Sequence, residues 1–429
     1  SSKFGTDHKW GTFPGASIGW RMNNEEFMKD LTWLDNLKVR AGFGITGINV
    51  GSPYNSLASL DYSGYFLYNG QWINALGPVR NENPNLRWEK KYEYNVGVDF
   101  DMFGGRLGGA IDFYMRDTKD GLWDYSVSVP PYQYSSIMAN VAEIRNIGLE
   151  VLINAVPVQT KDFEWNTNIS YSTNKNELKS ISNDEFSMST DWFMSGHTGE
   201  PIQQYTHRVK VGSPIGDFFG LKSVGLSTDG KWLVERFDEN GKKFYDYASN
   251  ATDADRQILG NGVPTHYLNF NNTLRYKNWD LSISMRGAFG FQILNFQEMY
   301  YANPTIQYNV LNSAFDTHPT YEIVDGGYGL KRASKDVTIT DSQRYLSEYV
   351  EDGDYWKIDN VTLGYTFNTK TWKYVKNLRL YASCLNLATI TGYKGLDPEV
   401  RMTGLDAGTD SRDKYPTNRS FTFGVNVTF

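Results

Sequence analysis

Hydrophobic and polar positions alternate along eleven stretches of the chain. The last, 420–429, is the plainest. Phe421, Phe423, Val425, Val427 and Phe429 are apolar, while Ser420, Thr422, Gly424, Asn426 and Thr428 between them are small or polar. Successive side chains of a strand point to opposite faces, so this period of two predicts a strand with one apolar wall and one wet wall. The same alternation runs through 16–22, 37–46, 92–102, 107–116, 147–155, 163–171, 268–276, 281–289, 361–367 and 378–382. The wet wall meets water, and the apolar wall meets either a protein core or lipid.

The connections discriminate between those two solvents. Gly104-Gly105 and Lys277-Asn278 read as tight turns, 156–162 as a short loop, and 23–36 and 368–377 as somewhat longer ones. Between them lie the long connections 47–90, 117–146, 173–265, 291–354 and 387–419. Short and long alternate along the strand list, the rhythm of an outer-membrane barrel with short periplasmic turns and long external loops. The expected fold is therefore all-β, part of a large antiparallel transmembrane β-barrel. The last strand then descends to put Phe429 at the periplasm, and residues 1–9 belong to an external loop. Eleven is odd, whereas bacterial single-chain barrels close on even numbers. Residues 173–265 have room for another hairpin, and the odd count points to residues 1–429 as the C-terminal portion of a larger barrel whose first strands lie elsewhere.

Composition agrees. The 429 residues include 29 Tyr, 24 Phe, 12 Trp and 40 Gly, which favours strands and turns. A mean hydropathy of −0.51 suits a barrel as well as a soluble protein, because only alternate residues meet lipid. No run of about 18 apolar residues exists to form a membrane helix. The net charge of −7, with no basic stripe, argues against a nucleic-acid partner. Cys384 stands alone and has no intrachain disulfide partner. The opening Ser1-Ser2-Lys3-Phe4-Gly5 has neither the apolar core nor the cleavage pattern of a signal peptide. If exported, the chain is expected to be a processed or partial piece.

Several blocks carry a resemblance. They are 10–21 (Trp-Gly-Thr-Phe-Pro-Gly-Ala-Ser-Ile-Gly-Trp-Arg), 37–47, 83–89 (Asn-Pro-Asn-Leu-Arg-Trp-Glu), 144–150, 211–220, 351–355, Asn386-Leu387, 393–400 and Tyr415-Pro416 through Phe429. In order over essentially the whole chain, they resemble the SusC/RagA family of TonB-dependent outer-membrane transporters. The resemblance implies a twenty-two-stranded, plugged barrel that imports glycans or peptides with energy from TonB. It also implies a SusD-like surface lipoprotein as a lid. The plug and the TonB-contacting segment have no match in these residues, so import is expected to need an N-terminal partner portion. Phe429 resembles the terminal aromatic read by the barrel-assembly machinery.

Candidate chemistry is sparse. Residues 15–19 match G-x-S-x-G, but a nucleophile elbow needs a strand, a sharp turn and a helix, and this pentapeptide lies inside a period-two run. His8, His197, His207, His266 and His318 show no metal spacing. The pair Asp352 and Asp354 has the residue type for glycoside hydrolysis, but so do many pairs among 49 acidic residues. No enzyme and no cofactor are expected. Family members often carry a calcium-like loop, and the matching 246–255 lacks the regular acidic spacing and the glycine of one, so it reads as a solvated acidic turn. The aromatic clusters of the long connections are the binding candidates: Tyr65, Tyr68 and Trp72; Trp123, Tyr125 and Tyr132; Tyr300 and Tyr301. Their faces can stack on sugars and their hydroxyls can bond sugar or peptide groups; packing between loops, lid contact or a membrane-interface girdle are the alternatives. The expected function is uptake of oligosaccharides, or of oligopeptides, across the outer membrane. Two other readings stay open: a soluble, secreted all-β carbohydrate-binding protein or glycosidase, and a barrel that anchors surface proteins.

Overall fold

All eleven expected strands form, and they form one antiparallel sheet. In chain order they are β1 (Gly15–Arg21), β2 (Leu34–Ile48), β3 (Glu89–Met102), β4 (Leu107–Ser126), β5 (Ser136–Gln159), β6 (Phe163–Ser180), β7 (His266–Tyr276), β8 (Trp279–Phe289), β9 (Tyr355–Thr366), β10 (Asn377–Thr391) and β11 (Ser420–Thr428). Each pairs with its neighbours in sequence, so sheet order equals chain order. The structure is a computed structural model and describes residues 1–429 apart from Val50, Ser52 and the side chain of Pro78; Val50 and Ser52, within the long connection 47–90, lie outside the described residues.

The register keeps the two walls separate across the sheet. One row runs Trp20, Val39, Val98, Ile111, Val151, Tyr171, Leu268, Gly287, Trp356, Ile390 from β1 to β10. The next runs Arg21, Lys38, Asp99, Ala110, Leu152, Ser170, Asn269, Arg286, Lys357, Thr389. A slip of one residue in any pair would mix the rows, so a single register satisfies every strand. No second sheet covers the apolar face. Ile18, Val96, Ile111, Phe113, Leu363, Leu380 and Phe421 are exposed on it, and Phe423 is 80% exposed. The core that a soluble sandwich would need is missing among the described residues.

The short connections gather at one end and carry an aromatic belt. Trp33 stacks on Phe103 at 6.0 Å, Trp279 packs on Tyr365 at 4.8 Å, and Trp372, Tyr374 and Phe429 stand exposed near the same turns. Such belts sit at the membrane–water boundary. The turn at Gly104-Gly105 takes positive φ at both residues (68° and 78°), which glycine adopts without a Cβ penalty.

Two expectations about the long connections are corrected. Residues 117–146 are not a loop: β4 runs on to Ser126 and β5 starts at Ser136, leaving only 127–135 between them. At about 3.3 Å per residue, the 24 residues of β5 outrun the ~25 Å apolar band of a bilayer, so this hairpin projects beyond it. Nor does 173–265 hide a hairpin of the main sheet. Beyond β6 it holds seven short strands that belong to two smaller sheets.

Those sheets build an external lobe. One joins 257–261, 217–220, 205–210 and 192–197; another joins 243–247, 232–237 and 223–227 to 320–324 and 329–332 of the next long connection. A third links 292–295 with 350–352 and 409–410. Phe218, Leu226, Trp232, Val234, Leu294, Met299, Tyr300, Tyr345 and Leu346 form the lobe's own buried core. A different part of the chain, the hairpin Leu60–Tyr68 with Gln71–Pro78, stands almost free of it.

Replacing Phe423 by Arg puts a charge on the apolar wall of β11, and replacing the adjacent Thr422 by Arg puts it on the wet wall. In the full-length protein folded in lipid, Phe423→Arg is expected to cost about 2–4 kcal/mol and Thr422→Arg far less. Urea midpoints of the heat-modifiable folded band measure both. Equal tolerance would mean that the apolar wall does not face lipid.

Candidate functional site

The wet face of the sheet is a connected set of polar contacts. Arg40 on β2 donates to Asp99 on β3 at 3.1 Å, to Asn95 at 3.3 Å, and across β3 to Asp112 on β4 at 2.5 Å. Asn95 also donates to Asp112 at 3.1 Å, and Arg116 donates to Glu93 at 2.9 Å. Farther along, the Tyr114 hydroxyl donates across β5 to Asn174 on β6 at 3.2 Å, Asn168 donates to Asn154 at 2.7 Å, and Thr362 bonds Ser383 at 2.8 Å. Arg379 on β10 reaches across β9 to Asp280 on β8 at 3.0 Å.

These reaches share one device. The strand being crossed carries glycine under the bond: Gly97 beneath Arg40–Asp112, Gly148 beneath Tyr114–Asn174, Gly364 beneath Arg379–Asp280. A Cβ on Gly97 would lie 2.5 Å from Asp112 Oδ1 and 2.8 Å from Arg40 Cζ. Glycine therefore lets a side chain span two strand spacings instead of one. The resulting wall is rich in carboxylates, guanidinium groups and amides, suited to exchanging hydrogen bonds with a polar solute. Asp99, Asp112, Glu93 and Asp280 on it are held by guanidinium partners. The pentapeptide 15–19 lies within β1, with Ser17 opposite Gly42. Asp352 accepts the Asp354 N–H at 3.0 Å and Asp354 accepts the Gly290 N–H at 2.6 Å, so both carboxylates shape turns.

The lobe is anchored to this wall by buried charge. Lys357 of β9, 2% exposed, contacts Glu399 at 2.5 Å and Asp397 at 3.6 Å, both from the connection 392–419. Arg286 of β8 joins the same cluster through Glu399 at 2.8 Å and Asp359 at 2.6 Å. Inside the lobe, His207 is fully buried, bonds the Ala407 carbonyl at 2.9 Å through Nε2 and the Thr206 hydroxyl through Nδ1. Burial pushes its pKa from 6.5 down to about 4, so the ring is neutral.

No family model matches the chain. Its relatives include the TonB-dependent receptor P3 of Formosa agariphila, 31% identical over 453 residues, and the TonB-dependent receptor SusC of Bacteroides thetaiotaomicron, 30% identical over 449 residues. Both comparisons cover 100% of this chain, but 43% and 41% of the relatives. Among solved structures, the RagAB peptide importer in its closed-closed state matches with a TM-score of 0.82 at 20% identity, covering 100% of this chain and 44% of that one. The open-open state gives 0.80. SusC-type TonB-dependent receptors are homologues of the whole chain. The chain spans less than half the length of these relatives, and its eleven strands are part of a large antiparallel transmembrane β-barrel of the fold seen in RagAB.

Several of the SusC/RagA-like blocks acquire a physical role. Asn83, in the block 83–89, donates to the Met138 carbonyl of β5 at 2.8 Å, and Asn140 of β5 accepts the Arg87 N–H at 2.9 Å while donating to Arg87 O at 2.8 Å. That block laces the projecting β4–β5 hairpin to the preceding connection. The block 393–400 supplies Asp397 and Glu399 to the Lys357 cluster. In 246–255, Asp246 and Asp255 both accept from Arg236, at 2.8 and 3.1 Å, and Asp255 closes a capping box with Thr252. The stretch is an acidic turn solvated at Ser249, Asn250, Thr252, Asp253 and Ala254, with Asp246 and the buried Asp255 held by Arg236. Among the described residues, no three His, Cys, Asp or Glu side chains converge as a ligand set.

The eight candidate aromatics separate into two groups. Tyr65, Tyr68 and Trp72 are 71%, 60% and 71% exposed on the free hairpin, whose Asn69-Gly70 turn is itself a sequence signal for a hairpin. The other five pack against neighbouring side chains. Trp123 and Tyr125 belong to β4, not to a loop; Trp123 packs on Phe193 at 4.9 Å, and Tyr125, 6% exposed, packs on Phe186 at 5.3 Å with Tyr132 alongside. Tyr300 lies fully buried in the helix α1 (Phe296–Tyr301) and donates to the Thr198 carbonyl at 2.5 Å, while Tyr301 packs against the same core. Tyr125 and Tyr300 have no face open to a solute, because each completes a small apolar core that its loops need. The residues absent from the expected site are those of the wet wall, above all Arg40, Asp99, Asp112 and Arg116; their only signal was membership of the polar half of the alternation.

Two outcomes follow from this geometry. Gly97→Val is expected to lower stability by about 1–3 kcal/mol through overpacking beneath Arg40, whereas Gly44→Ala, with nothing within 4 Å of the added carbon, is expected to be neutral; chemical denaturation of the full-length barrel reports both. For His207 the folded pKa lies below the unfolded one, so its contribution is complete above pH 6.5 and is lost as pH falls from 6.5 toward 4, by up to ~3 kcal/mol. The thermal midpoint of the lobe should fall across that window, and His207→Gln should flatten the fall.

Proposed function

We propose that this chain forms the C-terminal barrel portion of a TonB-dependent importer in a bacterial outer membrane. The plug, the first barrel strands and the TonB contact would be supplied by an N-terminal portion. The observation that carries the reading is the wet wall: cross-strand polar contacts recur from β2 to β10 behind an apolar face, below a folded external lobe. Such a wall offers a solute donors and acceptors along the length of the strands while lipid meets the other side. The chain performs no bond chemistry. It captures, orients and lets pass.

The cargo favoured is an oligosaccharide, captured together with a SusD-like surface lipoprotein. Tyr65, Tyr68 and Trp72 support this, since an isolated two-stranded hairpin is marginal in water and large exposed aromatics mark a binding surface. Sugar rings and the lid lipoprotein are the occupants assigned to it, with Trp123 and Tyr132 at the neighbouring hairpin as further contacts. A peptide cargo is the second reading, favoured by the fold match to a protein described as a peptide importer.

The test is uptake by cells carrying the full-length gene with and without its lipoprotein partner. Labelled oligosaccharide uptake is expected to require both, and Tyr65→Ala with Trp72→Ala is expected to weaken capture or lipoprotein association on the order of 10-fold. Accumulation of labelled peptide alone would transfer the reading to the second cargo. Uptake of neither would leave an anchoring barrel and end the import reading.

A further inference from the structure

The wet wall is not uniform in charge. On β2, β3 and β4 it presents Lys38, Arg40, Glu93, Asp99, Asp112 and Arg116. On β6 its positions are Asn166, Asn168, Ser170, Ser172, Asn174 and Asn176, an uncharged succession of amides and hydroxyls, each partly open to solvent. From 166 to 176, at about 3.3 Å per residue and a tilt of about 40°, this track spans the ~25 Å apolar band. The flanking strands continue it. Asn154 and Asn146 of β5 accept from Asn168 at 2.7 Å and from Asn174 at 3.1 Å, and Asn269 of β7 donates to the Ser170 hydroxyl at 3.0 Å. At one end Asn176 accepts the Ile215 N–H of the lobe at 2.7 Å; at the other, Asn166 lies near the short turn 160–162. Two depressions sit along the track. The one nearer the lobe, about 350 Å³, is lined by Ser170 and Ser172, and the other, about 280 Å³, by Asn166, Asn168, Asn271 and Thr273.

Given the import reading, we propose that the β6 track is the path by which an uncharged, hydroxyl-rich chain crosses the barrel, and that it selects against charged cargo. An asparagine amide offers two donors and an acceptor, and a serine hydroxyl one donor and two lone pairs. A sugar hydroxyl therefore finds both a donor and an acceptor at every step. The bonds already made leave capacity over, since Asn168 spends one N–H on Asn154 and Ser170 one lone pair on Asn269. Repetition matters as much as polarity. Passage needs sites favourable enough to enter and weak enough to leave, and a row of near-equivalent neutral groups supplies them. A charged cargo finds no counter-ion on these six side chains. The charges of β2–β4 are engaged with one another, Arg40 with Asp99 and Asp112, and Arg116 with Glu93. Asp112 and Glu150 border the depression nearer the lobe and repel an anion there.

Uptake by cells carrying the full-length receptor and its lipoprotein partner tests the assignment. The probes are radiolabelled hexasaccharides of glucose, xylose and mannose, an oligogalacturonate and hexaalanine. At least one hexasaccharide is expected to enter and the oligogalacturonate to be excluded. Asn168→Asp, nearly isosteric, and Ser172→Asp should each slow hexasaccharide uptake on the order of 10-fold, with binding to energy-depleted cells unchanged. Asn168→Gln, which keeps the amide, should retain most of the uptake. Lys161→Glu, exposed in the turn 160–162, should leave it unchanged. The heat-modifiable folded band confirms assembly, and Ser172→Asp carries the test if Asn168→Asp fails to assemble. Hexasaccharide uptake untouched by the aspartate variants, or oligogalacturonate entering equally well, overturns this inference and leaves import standing. Entry of hexaalanine but of no hexasaccharide also overturns it, with import kept for the second cargo; entry of neither ends both. Vancomycin sensitivity of the aspartate variants with unchanged cargo uptake would give the track to the plug, and likewise overturns the proposal.

Discussion

A backbone amide in hydrocarbon has no water to fall back on, and the whole design follows from that constraint. Every N–H and C=O inside the bilayer must bond within the protein, so the chain crosses as paired strands. Pairing fixes alternation, alternation divides each strand into an apolar and a polar wall, and the register aligns those walls over ten strands without a break. The row from Trp20 to Ile390 and the neighbouring row from Arg21 to Thr389 are the direct expression of this constraint. Because the side-chain period is two, neither row tolerates a slip in a single pair.

The wet wall adds a second layer of order. Neighbouring strands lie about 4.8 Å apart, too far for most side chains to bond over an intervening strand that carries its own side chain. Glycine at 97, 148 and 364 removes that obstacle. Arg40, Tyr114 and Arg379 then tie three strands at a time, in the plane of the wall rather than only along the backbone ladder. This polar wall is cross-braced, and Asp99, Asp112 and Asp280 are held in position by guanidinium partners.

Outside the membrane a different economy applies. The long connections do not hang as separate loops. They fold together, with strands from 223–227 and 320–324, and from 292–295 and 409–410, running side by side, around a core of Trp232, Tyr300 and Tyr345. The Lys357 cluster fastens this lobe to the barrel wall, where breaking one partner would strand a buried charge at a cost of about 3–5 kcal/mol. His207 does a related task in neutral form, joining two loop segments through Ala407. SusC-type receptors are homologous along the whole chain, while Tyr65, Tyr68 and Trp72 stay exposed on a hairpin outside the lobe's core.

The sequence by itself determined the strands, their order, their two faces and the end of the sheet where the short turns gather. Those features are local: period two is written in consecutive residues, and a turn such as Gly104-Gly105 needs only its own backbone. Only the tertiary structure decided that β4 and β5 run on through what reads as a loop, since the polar run from Arg116 to Asp120 interrupts the apolar alternation before Trp123 and Tyr125 resume it. It alone showed that Tyr125 and Tyr300 are spent on cores, that Asp246 and Asp255 meet Arg236, and that Arg40 reaches Asp112 over Gly97. Each of these depends on residues far apart in the chain being brought within a few ångströms, and long-range contact leaves no period in the sequence. The strand 420–429 shows both sides of this. Its alternation is local to its own residues, and the meaning of its apolar wall rests on ten other strands whose matching walls no second sheet covers among the described residues.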